Sequence, residues 1–311
     1  MWILYDALDP EFLDKTIKGK KVFQNLVNLK DSGIYFQNAY SPGKFTNDSA
    51  PAQLMGINIF DAKSINRTKI FTNVAGEKIP FKFETTVFER LTKQGLNVSL
   101  MSSVLEYCSS YLRSNKWKIC KDTISENKKI VIFDDALIYF FNIFFKTKRY
   151  FDKLTKNYKK NINVLNNQTV NFKDLDIEDF KKIEFDNSTF FSDQSKLFNI
   201  KNIMETIDKS NMVFLHIYNP HLHTDNQFLL DSFNLKKNVK EEYFLRYLYV
   251  DFFTKKIINE IRNKKFDNFL LIISSDHWWR GKPNIKSNYI GNSFFLVKNL
   301  SDNTNYIVDK K

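Results

Sequence analysis

Seven positions along the chain carry side chains able to do chemistry together. Asp6 directly follows the short apolar run Trp2–Tyr5, and Thr46 stands just ahead of a helical pattern. Asp276 and His277 follow Phe269–Ser275, the most continuous apolar run in the sequence, and three of the four histidines, His216, His221 and His223, end or follow Met212–Leu215. Open α/β sheets place their sites at the carboxyl ends of strands, where these residues stand. Two aspartates, a histidine and one hydroxyl form a mixed oxygen and nitrogen donor set, which suits Mn, Zn or a similar divalent ion better than a soft metal. Such an ion lowers the pKa of a bound hydroxyl, so Thr46 is a candidate nucleophile. A helix starting beside Thr46 would favour a phosphate or sulfate anion there. Lys44 and Arg280 are placed to neutralise non-bridging oxygens, and His221 to hydrogen-bond or protonate a leaving group. His216 and His223 join them as candidate substrate contacts. Each residue alone also reads as a turn, a cap or a core histidine; their shared order along the chain sets them apart.

The elements that must position these residues alternate between short apolar runs and longer helical patterns, the signature of an α/β layered sheet. Strands are expected at Trp2–Tyr5, Gly33–Phe36, Gly95–Met101, Ile130–Phe133, Met212–His216, Phe269–Ser275 and Ser293–Val297. Helices are expected from Pro10 to about Leu29, from Asp48 to Met55 with Asp48 or Ser49 as cap and Pro51 in its first turn, over Thr85–Gln94, and over Val239–Lys264. Ile130–Phe145 is apolar but interrupted by Asp134 and Asp135, and is too short to span a bilayer. The polar stretch 157–199 reads as an insertion or lid within a single catalytic domain covering 1–311.

Composition narrows the function classes. The 311 residues include 47 Lys and Arg against 35 Asp and Glu, a net charge of +12, which favours anionic partners. The basic residues are dispersed in short pairs such as Lys159-Lys160, without a zinc-finger spacing, an RNP-like strand or a continuous basic helix, so no nucleic-acid partner is expected. Scarce Gly (8) and Pro (6) exclude collagen-like and low-complexity classes. The two cysteines, Cys108 and Cys120, fit neither a CxxC nor a zinc-ribbon spacing; they could pair across a short loop or remain buried thiols. No leader peptide or membrane span is legible.

The ordered pieces WILYDALDPEFL, GIYFQNAYSPGKFTNDSAPAQLMG, VFLHIYNPHLH and EEYFLRYLYVDFF through LLIISSDHWWR resemble the alkaline phosphatase superfamily, in its sulfatase-like branch, over about residues 2–298. The resemblance implies a three-layer α/β/α sandwich around a mixed, mostly parallel sheet. It implies Asp6, Thr46, Asp276 and His277 as metal ligands, with Thr46 also the nucleophile and His221 the substrate-side histidine. It further implies a Cys108–Cys120 disulfide. Formylglycine-dependent sulfatases need Cys or Ser in a C/S-x-P-x-R pattern; here Thr46 keeps the distance to Gly56, and Gln53 stands where the Arg of the Ser49-Ala-Pro pattern would fall. A threonine nucleophile resembles the branch that transfers phosphoethanolamine or phosphoglycerol groups onto lipids and glycans. The family's Gly after Ser-Asp-His is Trp278, and its late His is absent at Ser287-Asn288-Tyr289. One divalent metal is therefore expected, Mn or Zn ahead of Ca or Mg.

The leading expectation is a metal-dependent hydrolase or transferase of phosphate esters, ahead of sulfate esters, through a covalent Thr46 intermediate, with glycans, lipid headgroups and contact with a membrane surface as fitting settings. Relatives are often periplasmic or membrane-anchored. Two rivals stand behind it. One is a degenerate domain that binds a glycan or lipid headgroup, with Trp278-Trp279 as a stacking platform. The other is a basic protein that binds nucleic acid or a membrane surface.

Overall fold

The structure is a computed structural model and describes residues 1–17, 20–65, 68–122, 198–221, 239–280 and 291–301. In chain order the elements are β1 (Trp2–Asp6), β2 (Thr16–Ile17), β3 (Lys20–Lys21), α1 (Gln24–Ser32), β4 (Ile34–Tyr35) and α2 (Thr46–Met55). There follow β5 (Ile59–Ile65), β6 (Thr68–Asn73), β7 (Lys78–Pro80), α3 (Val87–Lys93), β8 (Val98–Ser102) and β9 (Ile119–Asp122). The remainder is α4 (Ile200–Asp208), β10 (Met212–Pro220), α5 (Val239–Asn263), β11 (Leu270–Ser275) and β12 (Phe295–Asn299). The expected strand at Ile130–Phe133 and the stretch 157–197 lie outside the described residues.

A seven-stranded sheet runs β4-β12-β11-β1-β10-β8-β9. β12 is antiparallel to both neighbours; all other pairings are parallel. Six strands therefore end on one side, and β1 and β11, which end in Asp6 and just before Asp276, lie next to each other there. Residue alternation sorts the two faces. Ile3, Tyr5, Leu215, Ile217 and Ile273 pack into a core with α1, α4 and α5, while Leu4 and Phe214 pack into a second core with α2, α3 and Phe71 of β6. Helices cover both faces, which is why β11 is continuously apolar over Leu271–Ile273, as a strand covered on both sides should be. The expected mixed, mostly parallel α/β layering is what forms.

Three local expectations are corrected. Pro10–Leu29 is not one helix: a 3₁₀ turn at Pro10–Phe12, the short β2–β3 hairpin and α1 share that span. Phe12, Leu13, Phe23 and Leu26 are all buried, so burial produced the helix-like spacing without a continuous helix. Helix α2 begins at Thr46, two residues earlier than expected, with Phe45 as cap, and Pro51 lies inside it. Pro51 has no N–H for the Asn47 carbonyl, and Lys69 supplies a donor to that oxygen instead while pairing with Asp48 at 2.9 Å. The β5-β6-β7 sheet was not expected at all.

Candidate metal centre and active site

Two loops build the site from neighbouring parallel strands, β1 and β11. After β1, Ala7 adopts a left-handed backbone (φ 63°) and donates its N–H to Asp276 Oδ1 at 2.9 Å. The same oxygen accepts from the His277 N–H at 2.7 Å. Leu8 N–H donates to Ser275 Oγ at 2.7 Å, and Trp279 N–H to Asp9 Oδ2 at 3.3 Å. The ends of β1 and β11 are thereby stapled together, which brings Asp6 beside His277.

Helix α2 is fastened to the same strand end. Ser49 Oγ donates to the Asp276 carbonyl, and Gln53 Nε2 donates to the Ser275 carbonyl at 3.0 Å. These contacts aim the first residue of the helix, Thr46, at the aspartates. Ser49 and Gln53 are site-building residues that sequence reasoning saw only as an imperfect motif; their signal was their i,i+4 spacing on one helix face.

Four acceptor-bearing groups converge. Asp6 Oδ1 lies 3.2 Å from His277 Nε2, and Thr46 Oγ1 lies 3.2 Å from the same nitrogen and 3.4 Å from Asp6 Oδ1. Asp276 Oδ2 is 3.7 Å from His277 Nε2; it is buried and accepts no hydrogen bond. Asp6, Asp276 and His277 are all buried. His277 Nδ1 faces the Trp278 carbonyl at 2.8 Å, which requires the proton on Nδ1 and leaves Nε2 directed at the cluster.

The electrostatics follow from this crowding. Burial raises the Asp6 carboxyl pKa and the nearby Asp276 charge adds to it, against the opposing pull of His277 and Arg280. Burial alone would lower His277, but the Asp276 and Asp6 carboxylates and the Trp278 carbonyl outweigh it and raise its pKa. Two carboxylates crowded beside one imidazole and one hydroxyl concentrate negative charge in a buried place, and Asp276 Oδ2 is left without a donor. The separations of 3.2–3.7 Å match the edges of a coordination shell with metal–ligand bonds of about 2.0–2.2 Å. The residues present therefore fit a divalent cation. Asp6, His221 and His277 also offer ligand atoms all within 4.8 Å of one another.

The remaining expected residues fall in different places. His221 follows β10 at the mouth, its ring edge-on to His277 at 5.8 Å, and Arg280 reaches His221 Nε2 at 3.2 Å and His277 Nε2 at 3.5 Å. The Arg280 guanidinium lies over the Phe45 ring, 4.8 Å from its centroid. Lys44 is half-buried two residues before Thr46. His216 does not reach the mouth: it is fully buried, its Nδ1 bonded to Tyr107 Oη at 2.7 Å, and burial lowers its pKa to about 4. Tyr107 adjoins the Cys108–Cys120 disulfide, whose Cα atoms are 5.6 Å apart. His223 lies outside the described residues. Trp278 and Trp279 are no stacking platform. Both are buried; Trp279 stacks on Tyr243, and Trp278 packs so closely on Gly291 that a Cβ there would come within 2.6 Å. The exposed aromatics Phe36, Tyr40 and Phe45 lie instead in the segment between β4 and α2.

Among the described residues no helix is long and apolar enough to cross a membrane. No curated protein matches the sequence. Among solved structures the chain is similar to the C-terminal periplasmic domain of EcEptC from Escherichia coli, in complex with Zn (11% identity, 96% of this chain and 71% of that one, TM-score 0.49). It is also similar to the integral membrane protein lipooligosaccharide phosphoethanolamine transferase A of Neisseria meningitidis (11% identity, 96% and 47%, TM-score 0.48). A third is the lipoteichoic acid synthase LtaP of Listeria monocytogenes (10% identity, 95% and 64%, TM-score 0.48). The chain thus spans about half of the second and just under two thirds of the third. The Sulfatase family profile matches residues 2–292, nearly the whole chain, and the chain therefore belongs to that family.

Proposed function

We propose that the protein is a metal-dependent phosphoester hydrolase or transferase that works through a covalent Thr46 intermediate. The observation that supports this reading best is the convergence of Asp6 Oδ1, Asp276 Oδ2 and His277 Nε2, acceptors without enough donors, around a hydroxyl on the first residue of a helix. Asp6, Thr46, Asp276 and His277 would hold one divalent ion, with Mn or Zn suiting their mixed donors. The bound ion would supply positive charge that acidifies the Thr46 hydroxyl and polarises the ester.

The chain's own groups account for the rest. The α2 N-terminus, uncapped by any side chain of Phe45, faces the incoming anion. Arg280, braced on Phe45, and Lys44 bind its non-bridging oxygens. Thr46 Oγ1 gives its proton to the adjacent Asp6 Oδ1 and forms the bond to phosphorus as the bond to the leaving oxygen breaks on the opposite side. His221, at the mouth, gives a proton to that departing oxygen. Attack by water releases phosphate, whereas attack by an acceptor hydroxyl completes transfer, and two inversions give net retention at phosphorus.

A phosphate ester fits better than a sulfate ester because position 46 is Thr and no Arg follows in the sulfatase pattern. The exposed Phe36, Tyr40 and Phe45 beside basic Lys44 and Arg280, and the net charge of +12, favour an anionic ester carried on a glycan or lipid headgroup, and contact with a membrane surface. The chain acts as one sulfatase-like catalytic domain. The test is turnover of aryl phosphate monoesters, diesters and sulfate esters with added Mn, Zn, Mg or Ca. Thr46→Ala should cut phosphoester turnover by about a thousandfold or more. Turnover unchanged in Thr46→Ala would overturn the mechanism, and metal binding with no turnover of any ester would favour a binding-only domain.

A further inference from the structure

Helix α5 lies on the face of the sheet opposite α2, yet one of its side chains reaches the site. Tyr243 is fully buried, and its hydroxyl donates to the Ala7 carbonyl at 2.5 Å while accepting from the Asp9 N–H at 3.2 Å. Its ring is fixed by stacking on Trp279, 4.6 Å between centroids, and by an edge contact with Phe12. Ala7 is one of two residues other than glycine with a positive φ among the described residues, and it directly follows Asp6. A left-handed backbone is costly for an L-residue with a Cβ, so it persists only where its surroundings hold it. Here the peptide groups flanking that torsion are held from both sides, the N–H by Asp276 Oδ1 and the C=O by Tyr243.

We infer that Tyr243 is a positioning residue for the metal centre: by gripping the Ala7 carbonyl it holds the left-handed turn that aims the Asp6 carboxylate at His277 and Thr46. This deepens the proposed function and rests on it only for the identity of what Asp6 holds. The clamp is a property of the fold with or without an ion. It explains why a tyrosine is placed where its hydroxyl must find partners inside an apolar core: both partners belong to the loop that carries Asp6.

The test uses the full chain in two arms. In the first, amide hydrogen exchange is followed in metal-free protein. Tyr243→Phe keeps the ring packing and removes the grip, so Ala7 N–H exchange should accelerate about tenfold or more, while Leu26 N–H, held by Asp251 at 2.7 Å, stays unchanged. In the second, Mn and Zn affinities are measured by titration calorimetry. Tyr243→Phe should weaken binding about tenfold. Ala7→Gly, which makes the left-handed turn free of its Cβ cost, should bind like the natural chain and restore the double variant to within about twofold. Unchanged Ala7 exchange in Tyr243→Phe, or a binding loss that Ala7→Gly does not rescue, overturns the clamp and leaves Tyr243 as packing alone. If the natural chain takes up neither metal, the proposed function falls, and the exchange arm still decides the clamp.

Discussion

Two buried acidic positions in this molecule show opposite solutions to the same problem. Asp251, on α5, is buried, and both its oxygens are met by donors: Leu26 N–H at 2.7 Å on one, Asn25 Nδ2 at 2.6 Å and Asn25 N–H at 3.4 Å on the other. Those groups are the first turn of α1, whose cap residue Phe23 has no capping side chain. Asp251 is therefore a helix cap supplied from another helix, complete within the protein. Asp276 is equally buried, but only Oδ1 is satisfied; Oδ2 accepts nothing and shares its space with Asp6 and His277 Nε2. A buried carboxylate whose acceptors are all filled is architecture. One left short of donors beside a second carboxylate has room for a cation.

The contrast can be broken most strongly at Asp251. Asp251→Ala removes the acceptor of three donors and should lower unfolding free energy by about 2–3 kcal/mol in urea titrations, with metal affinity unchanged. A loss of metal affinity without a loss of stability would erase the distinction. Next comes pH. Burial raises the Asp251 pKa to about 6 despite the Leu26 and Asn25 donors. In an unfolded chain it is about 3.9, so the folded state holds the proton more tightly. Its contribution is fully present below about pH 4 and is lost as pH rises through about 6, a decline of about 1–3 kcal/mol. Stability curves of metal-loaded natural chain and Asp251→Asn between pH 4 and pH 7 should differ by that decline; parallel curves would show the carboxyl to be unperturbed. The smallest expected effect is at the other site. Asp276→Asn keeps an acceptor for Ala7 and His277 while removing the crowding charge, so metal-free stability should stay within about 0.5 kcal/mol or rise. A loss of several kcal/mol would make Asp276 a structural residue like Asp251.

Much of this arrangement was legible in the sequence, for identifiable reasons. Leu271–Ile273 is continuously apolar because both faces are covered there, and Asp276 follows at the point where the chain leaves the sheet. Helix α5 was readable from Tyr243, Tyr247, Val250 and Ile257, which recur at helical spacing and are buried. The β5–β7 sheet was not readable, because strands such as Ile59–Ile65 and Thr68–Asn73 mix polar residues with apolar ones, and among their described side chains only Phe71 is fully buried. The Trp278-Trp279 pair misled because tryptophan suits both a sugar platform and a core, and only Gly291 and Tyr243, distant in sequence, decide for the core. The donors of Asp251 and the missing donor of Asp276 are likewise tertiary facts, as is the grip of Tyr243 on Ala7.

The most direct test of the metal centre is the metal content of the protein. The chain is loaded with Mn or Zn, dialysed, and analysed by inductively coupled plasma mass spectrometry beside Asp276→Asn. We predict about one ion per natural chain and under about a tenth of that in the variant, since an amide nitrogen cannot replace the unfilled carboxylate oxygen. No bound ion in the natural chain, or an equal load in Asp276→Asn, would contradict the account.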